Sequence, residues 1–182
     1  MTFPGLGQFV KPDVVITHFH IKDGDKVADF GAGSGFFMKA LSARVGADGR
    51  VFALEIQKQL VEALGEQVRT LGLGNVDTLW CDLEEENGIP IPDNSLDAGV
   101  MVNTLFMFED KETAIKECQR ILRSGAPFYL IDWTESFRGM GPTVDMVVDK
   151  QAATDLLESN GFTLERDYPS GDHHYGLAFR KI

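Results

Sequence analysis

The chain has 182 residues, the length of one ordinary domain whose core closes without disulfides or a structural metal. Hydrophobic residues make up 43% and charged residues 25%, a globular balance that excludes wholesale disorder. The formal charge of −11 argues against nucleic acid as a partner, since duplex affinity comes from cationic side chains on phosphates, and Lys39, Arg44, Arg120, Arg123 and Arg180 are scattered along the chain. Cys81 and Cys118 have no CxxC or Cys/His spacing, so they read as buried, reduced thiols, and no metal is expected. No apolar run is long enough for a membrane span, and the start MTFPGLGQFVKP lacks a basic-then-apolar leader, so the expected location is cytoplasmic.

In chain order, residues 1–24 form a lead-in. Val14, Val15, His18 and Phe19 fall at helical spacing after Pro12, and a turn comes next at Lys22–Asp25. Lys26–Phe30 reads as a strand ended by Gly31-Ala32-Gly33-Ser34-Gly35, and Phe36–Val45 as a helix stopped by Gly46. Val51–Leu54 is a second strand and Gln57–Leu71 a helix with Leu60, Val61, Leu64, Val68 and Leu71 on one stripe. Val76–Trp80 is a third strand, and the acidic run Glu84–Glu86 with Pro90 and Pro92 is a solvated loop. Ser95–Val102 is a nearly all-apolar strand, Lys111–Leu122 a helix, Pro127–Trp133 a strand and Lys150–Ser159 a helix. Phe162–Arg166 and Tyr175–Arg180 have only a short loop between them and must pair antiparallel. The expectation is a single α/β domain over residues 1–182: a doubly wound, mostly parallel sheet with its last strand reversed, covered by helices on both faces.

The chemistry concentrates at strand ends. Three glycines after the first strand let backbone approach a ligand, and a helix begins at once. The dinucleotide fingerprint G-x-G-x-x-G would place its last glycine at Phe36, so a nicotinamide oxidoreductase is disfavoured. Glu55 closes the second strand, where a carboxylate can accept both hydroxyls of a ribose. Asp82 closes the third, where one can accept from an adenine amino group. Asn103 closes the fourth strand and Asp132 the fifth. In a doubly wound sheet these ends share one edge, so the ordered series points to an adenosine-containing cofactor.

On these residues the sequence resembles the class I S-adenosylmethionine-dependent methyltransferases, of the small subgroup similar to ubiquinone and menaquinone biosynthesis methyltransferases. Val27–Gly35 (VADFGAGSG) resembles the first motif, Gly49–Glu55 the second strand, and Cys81-Asp82 the adenine-side acidic position. Ile91–Asp97 (IPDNSLD) resembles the lead into the fourth strand, while Arg120–Leu122 with Gly125, then Leu130–Trp133, resemble the next helix and the fifth strand. The resemblance implies a seven-stranded Rossmann-like methyltransferase fold with three αβα layers and S-adenosyl-L-methionine as cofactor. It would be held by Asp29, Gly31, Ala32, Gly33, Ser34, Gly35, Glu55, Ile56, Asp82, Leu83, Asn103 and Thr104.

It further implies that Asn103–Phe108 faces the reactive end. Many small relatives carry a histidine near Phe108; this sequence has none, so no histidine base carries over. No catalytic residue is assigned. Asp132 and Asn103 are the candidates for a base or polar anchor, with a structural strand-end role the alternative for Asp132. Phe106, Phe108, Asp132 and Trp133 are the candidate acceptor-binding residues, although the phenylalanines are as consistent with packing and Trp133 with covering the sheet edge. His18, His20, His173 and His174 read as structural. The leading expectation is an enzyme that methylates a small, apolar or aromatic molecule; the alternative is a non-catalytic S-adenosylmethionine-binding module supporting another protein. The insertion at Thr134–Asp149 is short, which leaves the mouth either open or completed by a partner subunit, as in a homodimer.

Overall fold

The computed structural model describes residues 10–182, so positions 1–9 of the lead-in lie outside the described residues. Its strands are β1 (Lys26–Phe30), β2 (Arg50–Glu55), β3 (Val76–Trp80), β4 (Ala98–Val102), β5 (Pro127–Trp133), β6 (Phe162–Tyr168) and β7 (His174–Lys181). Its α-helices are α1 (Pro12–Val15), α2 (Met38–Val45), α3 (Lys58–Leu71), α4 (Lys111–Ile121) and α5 (Lys150–Ser159). The seven strands form one sheet in the order β3-β2-β1-β4-β5-β7-β6. β1 pairs in parallel with β2 and β4, β2 with β3, and β4 with β5, while β7 runs antiparallel to both β5 and β6. The reversed last strand therefore sits inside the sheet and not at its edge. Helix α5 returns the chain so that β6 runs with the parallel strands, and the closing hairpin then fills the gap beside β5.

Alternation along the strands sorts the core into two layers. Ala28, Phe30, Phe128 and Leu130 face the cluster packed by α4 and α5, whereas Val27, Val51, Ala53 and Ile131 face the cluster packed by α1, α2 and α3. The same period of two puts Asp29 and Glu55 on the second of these faces, beyond the last apolar positions of β1 and β2. The order of the sheet reverses between β1 and β4, so the carboxyl ends of these strands border a crevice.

Several boundaries differ from the sequence pattern: β2, β6 and β7 run one or two residues longer, and three starts or ends move for identifiable reasons. Helix α2 starts at Met38 because residues 33–37 form a turn. β4 starts at Ala98, since Leu96 only bridges Leu122 and Asp97 is occupied with Lys26 N–H and Arg123. The lead-in helix ends at Val15, and a 3₁₀ turn over Ile16–His18 takes its place. Phe19 leaves the helical stripe for extended backbone, which lets it stack on Tyr129 at 4.3 Å with no exposed surface. Both cysteines are free and buried, and among the described residues no helix is long and apolar enough to cross a membrane.

The loop carrying Glu84–Asp93 is tied to α4 by one buried carboxylate. Glu117 accepts from the Asn87 and Ile89 N–H groups at 3.0 and 3.4 Å and from Arg120 Nη2 at 2.8 Å, while Arg120 also donates to Ile89 O and Ile91 O. Removing one partner of such a pair leaves the other charge buried and uncompensated. Arg120→Ala is therefore expected to lower stability by about 3–5 kcal/mol in urea denaturation; a change within about 0.5 kcal/mol, the usual surface range, would show that the pair does not hold the loop.

Candidate functional site

A cavity of about 420 Å³ opens at the crevice, within the range of a small-ligand pocket. Its floor is the turn after β1. Gly31 and Gly33 have φ of 72° and 55°, a region that disfavours any residue with a Cβ. The turn is fixed from the neighbouring strand: Ala32 N–H donates to Leu54 O at 2.9 Å, and Gly33 N–H donates to Glu55 Oε2 at 3.0 Å. The other Glu55 oxygen accepts from Gln57 N–H at 2.8 Å, one residue before α3. One carboxylate, 6% exposed, thus joins the glycine turn to the start of a helix. A Cβ on Gly31 would lie 2.4 Å from Thr104 Cγ2, so the turn is pressed against the segment after β4; a Cβ on Gly33 would meet almost nothing, which leaves that side open to the cavity.

The remaining walls come from the other strand ends. Asp82 Oδ1 accepts from Glu84 N–H at 2.9 Å, a local turn that leaves its second oxygen outside that bond. Asn103 lines the cavity, adopts φ of 55° and donates its N–H to Ile131 O at 2.8 Å; its side-chain Oδ1 is buried and without a partner. A buried acceptor left unpaired is unfavourable by about 1–3 kcal/mol, which singles Asn103 out among the residues of this wall. Beyond it a 3₁₀ turn over Leu105–Met107 places Met107 and Phe108 on the wall. Asp132 supports that turn from below: its Oδ2 accepts from Phe106 N–H at 3.3 Å and its Oδ1 from Trp133 N–H at 2.8 Å. Burial pushes its carboxyl up to about 6, against the pull of these N–H groups.

The structure gathers most of the residues singled out from sequence. Asp29, Gly31, Ala32, Gly33, Ser34, Glu55, Ile56, Asp82, Leu83, Asn103 and Thr104 line the cavity, as does Phe108. Gly35 lies off the wall, where a Cβ would meet Leu64 of α3 at 2.7 Å; its smallness serves helix packing. Phe106, Asp132 and Trp133 also lie off the wall. Asp132 is 1% exposed, and Trp133 packs on His174 at 4.2 Å and under Gly141. Phe36, Leu60 and Glu84 line the cavity without having been candidates, and Met107 joins them from the Asn103–Phe108 segment expected to face the reactive end. Phe36 and Met107 are more than half exposed, an apolar rim that the sequence alone does not separate from core positions. Away from the cavity, His18 stacks on Tyr168, and His173 pairs with Glu135 and stacks on Phe137.

An open glycine turn at a switch point, carboxylates at successive strand ends and an unpaired amide oxygen fit a nucleoside-bearing ligand that brings hydroxyl and amino donors. Residues 28–130, more than half of the chain, match the methyltransferase domain model, and the chain belongs to this family. It is similar to a SAM-dependent methyltransferase from Aquifex aeolicus, with 30% identity and a TM-score of 0.88 over 96% of this chain and 91% of that one. It is also similar to the ubiquinone/menaquinone biosynthesis C-methyltransferases of Pasteurella multocida (28% identical over 116 residues, 63% of this chain and 42% of the relative) and Hahella chejuensis (28% over 179 residues, 81% and 71%). The chain spans about half the length of several such curated relatives.

The geometry of the turn gives two expected outcomes. Gly31→Ala should be destabilising through both φ and the Thr104 contact, and Thr104→Ala should relieve part of it, a coupling of about 0.5–3 kcal/mol in a double-mutant cycle; strict additivity would show that the two do not touch. Asp29 is 3% exposed, and burial first, then the Glu55 charge, push its carboxyl up to about 7. Its folded value lies above its unfolded one, so the folded state binds the extra proton, and stability falls as pH rises from about 4 towards 7 and stays low above. Asp29→Asn should therefore raise the unfolding free energy of the ligand-free protein at about pH 8 by roughly 2–4 kcal/mol and leave it little changed at about pH 4. Equal effects at both pH values would contradict the shift.

Proposed function

We propose that the protein transfers the methyl group of S-adenosylmethionine to a small, apolar or aromatic acceptor. The observation that carries this reading is the glycine turn held open by Glu55, with Asn103, Met107 and Phe108 lining the same cavity. When bound, the cofactor supplies a methyl group on a sulfonium, already a good leaving group. The residues then have mainly to position and exclude water. Glu55 would accept from the ribose hydroxyls with the lone pairs its two N–H partners leave, and Asp82 from the adenine amino group. Asn103 Oδ1 would accept from the amino-acid end or from the acceptor. Met107 and Phe108 would cover the reacting side, and Asp132, which stays behind the Leu105–Met107 turn, would act as a positioning residue.

The names of the curated relatives support carbon as the methylated atom and a quinone-like ring as the acceptor class. The acidic wall supports a small molecule over nucleic acid, because the cavity presents no cationic side chain for phosphate among the described residues.

Titration calorimetry with S-adenosylmethionine should show micromolar binding, about −7 to −9 kcal/mol, and labelled methyl should pass to an aromatic acceptor. Binding without turnover on any such acceptor would favour the non-catalytic module instead. Glu55→Gln should weaken binding by about 1.5–3 kcal/mol, and less for an analogue lacking the ribose hydroxyls; equal losses would confine Glu55 to holding the turn.

A further inference from the structure

The segment after β4 carries Met107 and Phe108 on the cavity wall and then leads into helix α4. Two carboxylates hold it from different directions. Asp132 accepts from Phe106 N–H, and Glu84 Oε1 accepts from Asp110 N–H at 2.6 Å from the side of the loop after β3. Phe108 lies between these two ties, and Lys111 Nζ donates to its carbonyl.

The Glu84 bond has a local cause. Asp110 is the N-cap of α4, and its carboxylate accepts from Thr113 N–H at 3.1 Å and from Thr113 Oγ1 at 2.7 Å. A glutamate or glutamine in place of Thr113 would reach back to the N-cap amide and complete a capping box. The threonine hydroxyl is instead committed to the Asp110 side chain, so the Asp110 amide takes a carboxylate from elsewhere in the fold, and Glu84 provides it. Glu84 is itself well placed: Leu83 beside it is buried in the core, and its own N–H donates to Asp82 Oδ1 at 2.9 Å. The far part of the same loop is fastened to α4 through Glu117 and Arg120, so Glu84 makes the attachment at the end that borders the cavity.

We propose that Glu84 is a positioning residue that fixes the Met107–Asp110 wall, and with it Phe108, against the loop that holds the adenine end of the donor. This rests on the S-adenosylmethionine reading above, which puts the base at Asp82 and the methyl-bearing end towards Phe108. Glu84 joins the two sides of the cavity, so its loss leaves the residues assigned to ribose and base in place and frees the wall on the acceptor side. Alignment behind the methyl group then suffers, since a misplacement of about 1 Å can slow a transfer on the order of a hundredfold.

The test is native-state amide hydrogen exchange on the full chain, ligand-free and with S-adenosylhomocysteine, alongside calorimetry, for wild type, Glu84→Ala and Glu84→Gln. Without ligand, the Asp110 amide should exchange about tenfold faster or more in Glu84→Ala, the loss expected of a hydrogen bond to a charged acceptor. Glu84→Gln should recover most of that protection, because its amide oxygen still accepts. Bound S-adenosylhomocysteine should slow the Met107–Asp110 amides by about tenfold in wild type and by about threefold or less in Glu84→Ala, where the ligand meets a wall no longer tied to the adenine-side loop. The dissociation constant should stay within about threefold across wild type and variants. Should Glu84→Ala fail to fold, Glu84→Asp takes its place, one methylene too short to reach the amide.

Unchanged Asp110 exchange in the variant, or equal slowing of the Met107–Asp110 amides by ligand in wild type and variant, would overturn the proposal while leaving donor binding intact. So would a loss of affinity of about tenfold or more in Glu84→Gln as well as Glu84→Ala, which would make Glu84 a contact of the donor itself. No binding of S-adenosylhomocysteine by wild type would overturn the cofactor reading and the positioning role together.

Discussion

The turn after β1 has to carry the chain from the sheet towards α2 while leaving room for a ligand against its backbone, and the Glu55 carboxylate is what holds it in that shape. Gly33 N–H and Gln57 N–H converge on its two oxygens from opposite sides. The turn cannot relax towards β4, because Gly31 already touches Thr104, nor collapse onto β2, because Ala32 is bonded to Leu54. Hydrogen bonds to a charged acceptor are roughly twice as strong as neutral ones, which suits a position where one residue fixes two segments. The same lone-pair capacity leaves room for ligand donors, so structural and binding roles do not compete.

Electrostatically the site works against its own stability. Asp29 and Glu55 lie on the same face at adjacent strand ends, a placement set by the alternation of β1 and β2. Glu55 has its N–H partners; Asp29 has burial and a like charge. A protein selected only for stability would fill this position with an amide or an apolar residue. A buried carboxyl in a cleft, with its pKa raised by burial and a neighbouring charge, is the kind of group found at binding sites. Asp132 shows the contrasting case, a buried carboxylate whose N–H partners explain it without any ligand.

Much of this was legible in the sequence because it depends on backbone. Strand-helix alternation gave the parallel sheet, the short link before Tyr175 gave the reversed strand, and glycines with acidic strand ends marked the crevice. What stayed hidden depends on which way side chains point. Nothing in Gly31-Ala32-Gly33-Ser34-Gly35 tells that Gly31 faces Thr104, Gly33 the cavity and Gly35 Leu64. Likewise Phe106 and Phe108 are equivalent in sequence, yet the 3₁₀ turn over Leu105–Met107 puts only Phe108 and Met107 on the wall. Nor does sequence show that Asp132 is turned under that turn, since the Phe106 and Trp133 N–H groups that claim it are fixed by tertiary packing.

The central claim is that this one cavity takes the whole methyl donor, with the Gly31–Gly33 turn beneath it and the methyl-bearing end towards Asn103 and Phe108. A crystal structure with S-adenosylhomocysteine tests it most directly. The account predicts the ribose hydroxyls on Glu55, the base beside Asp82 and Leu83, and the sulfur facing Asn103 and Phe108. A ligand found outside this cavity, or seated with Glu55 free of the ribose and the sulfur turned away from Phe108, would contradict it.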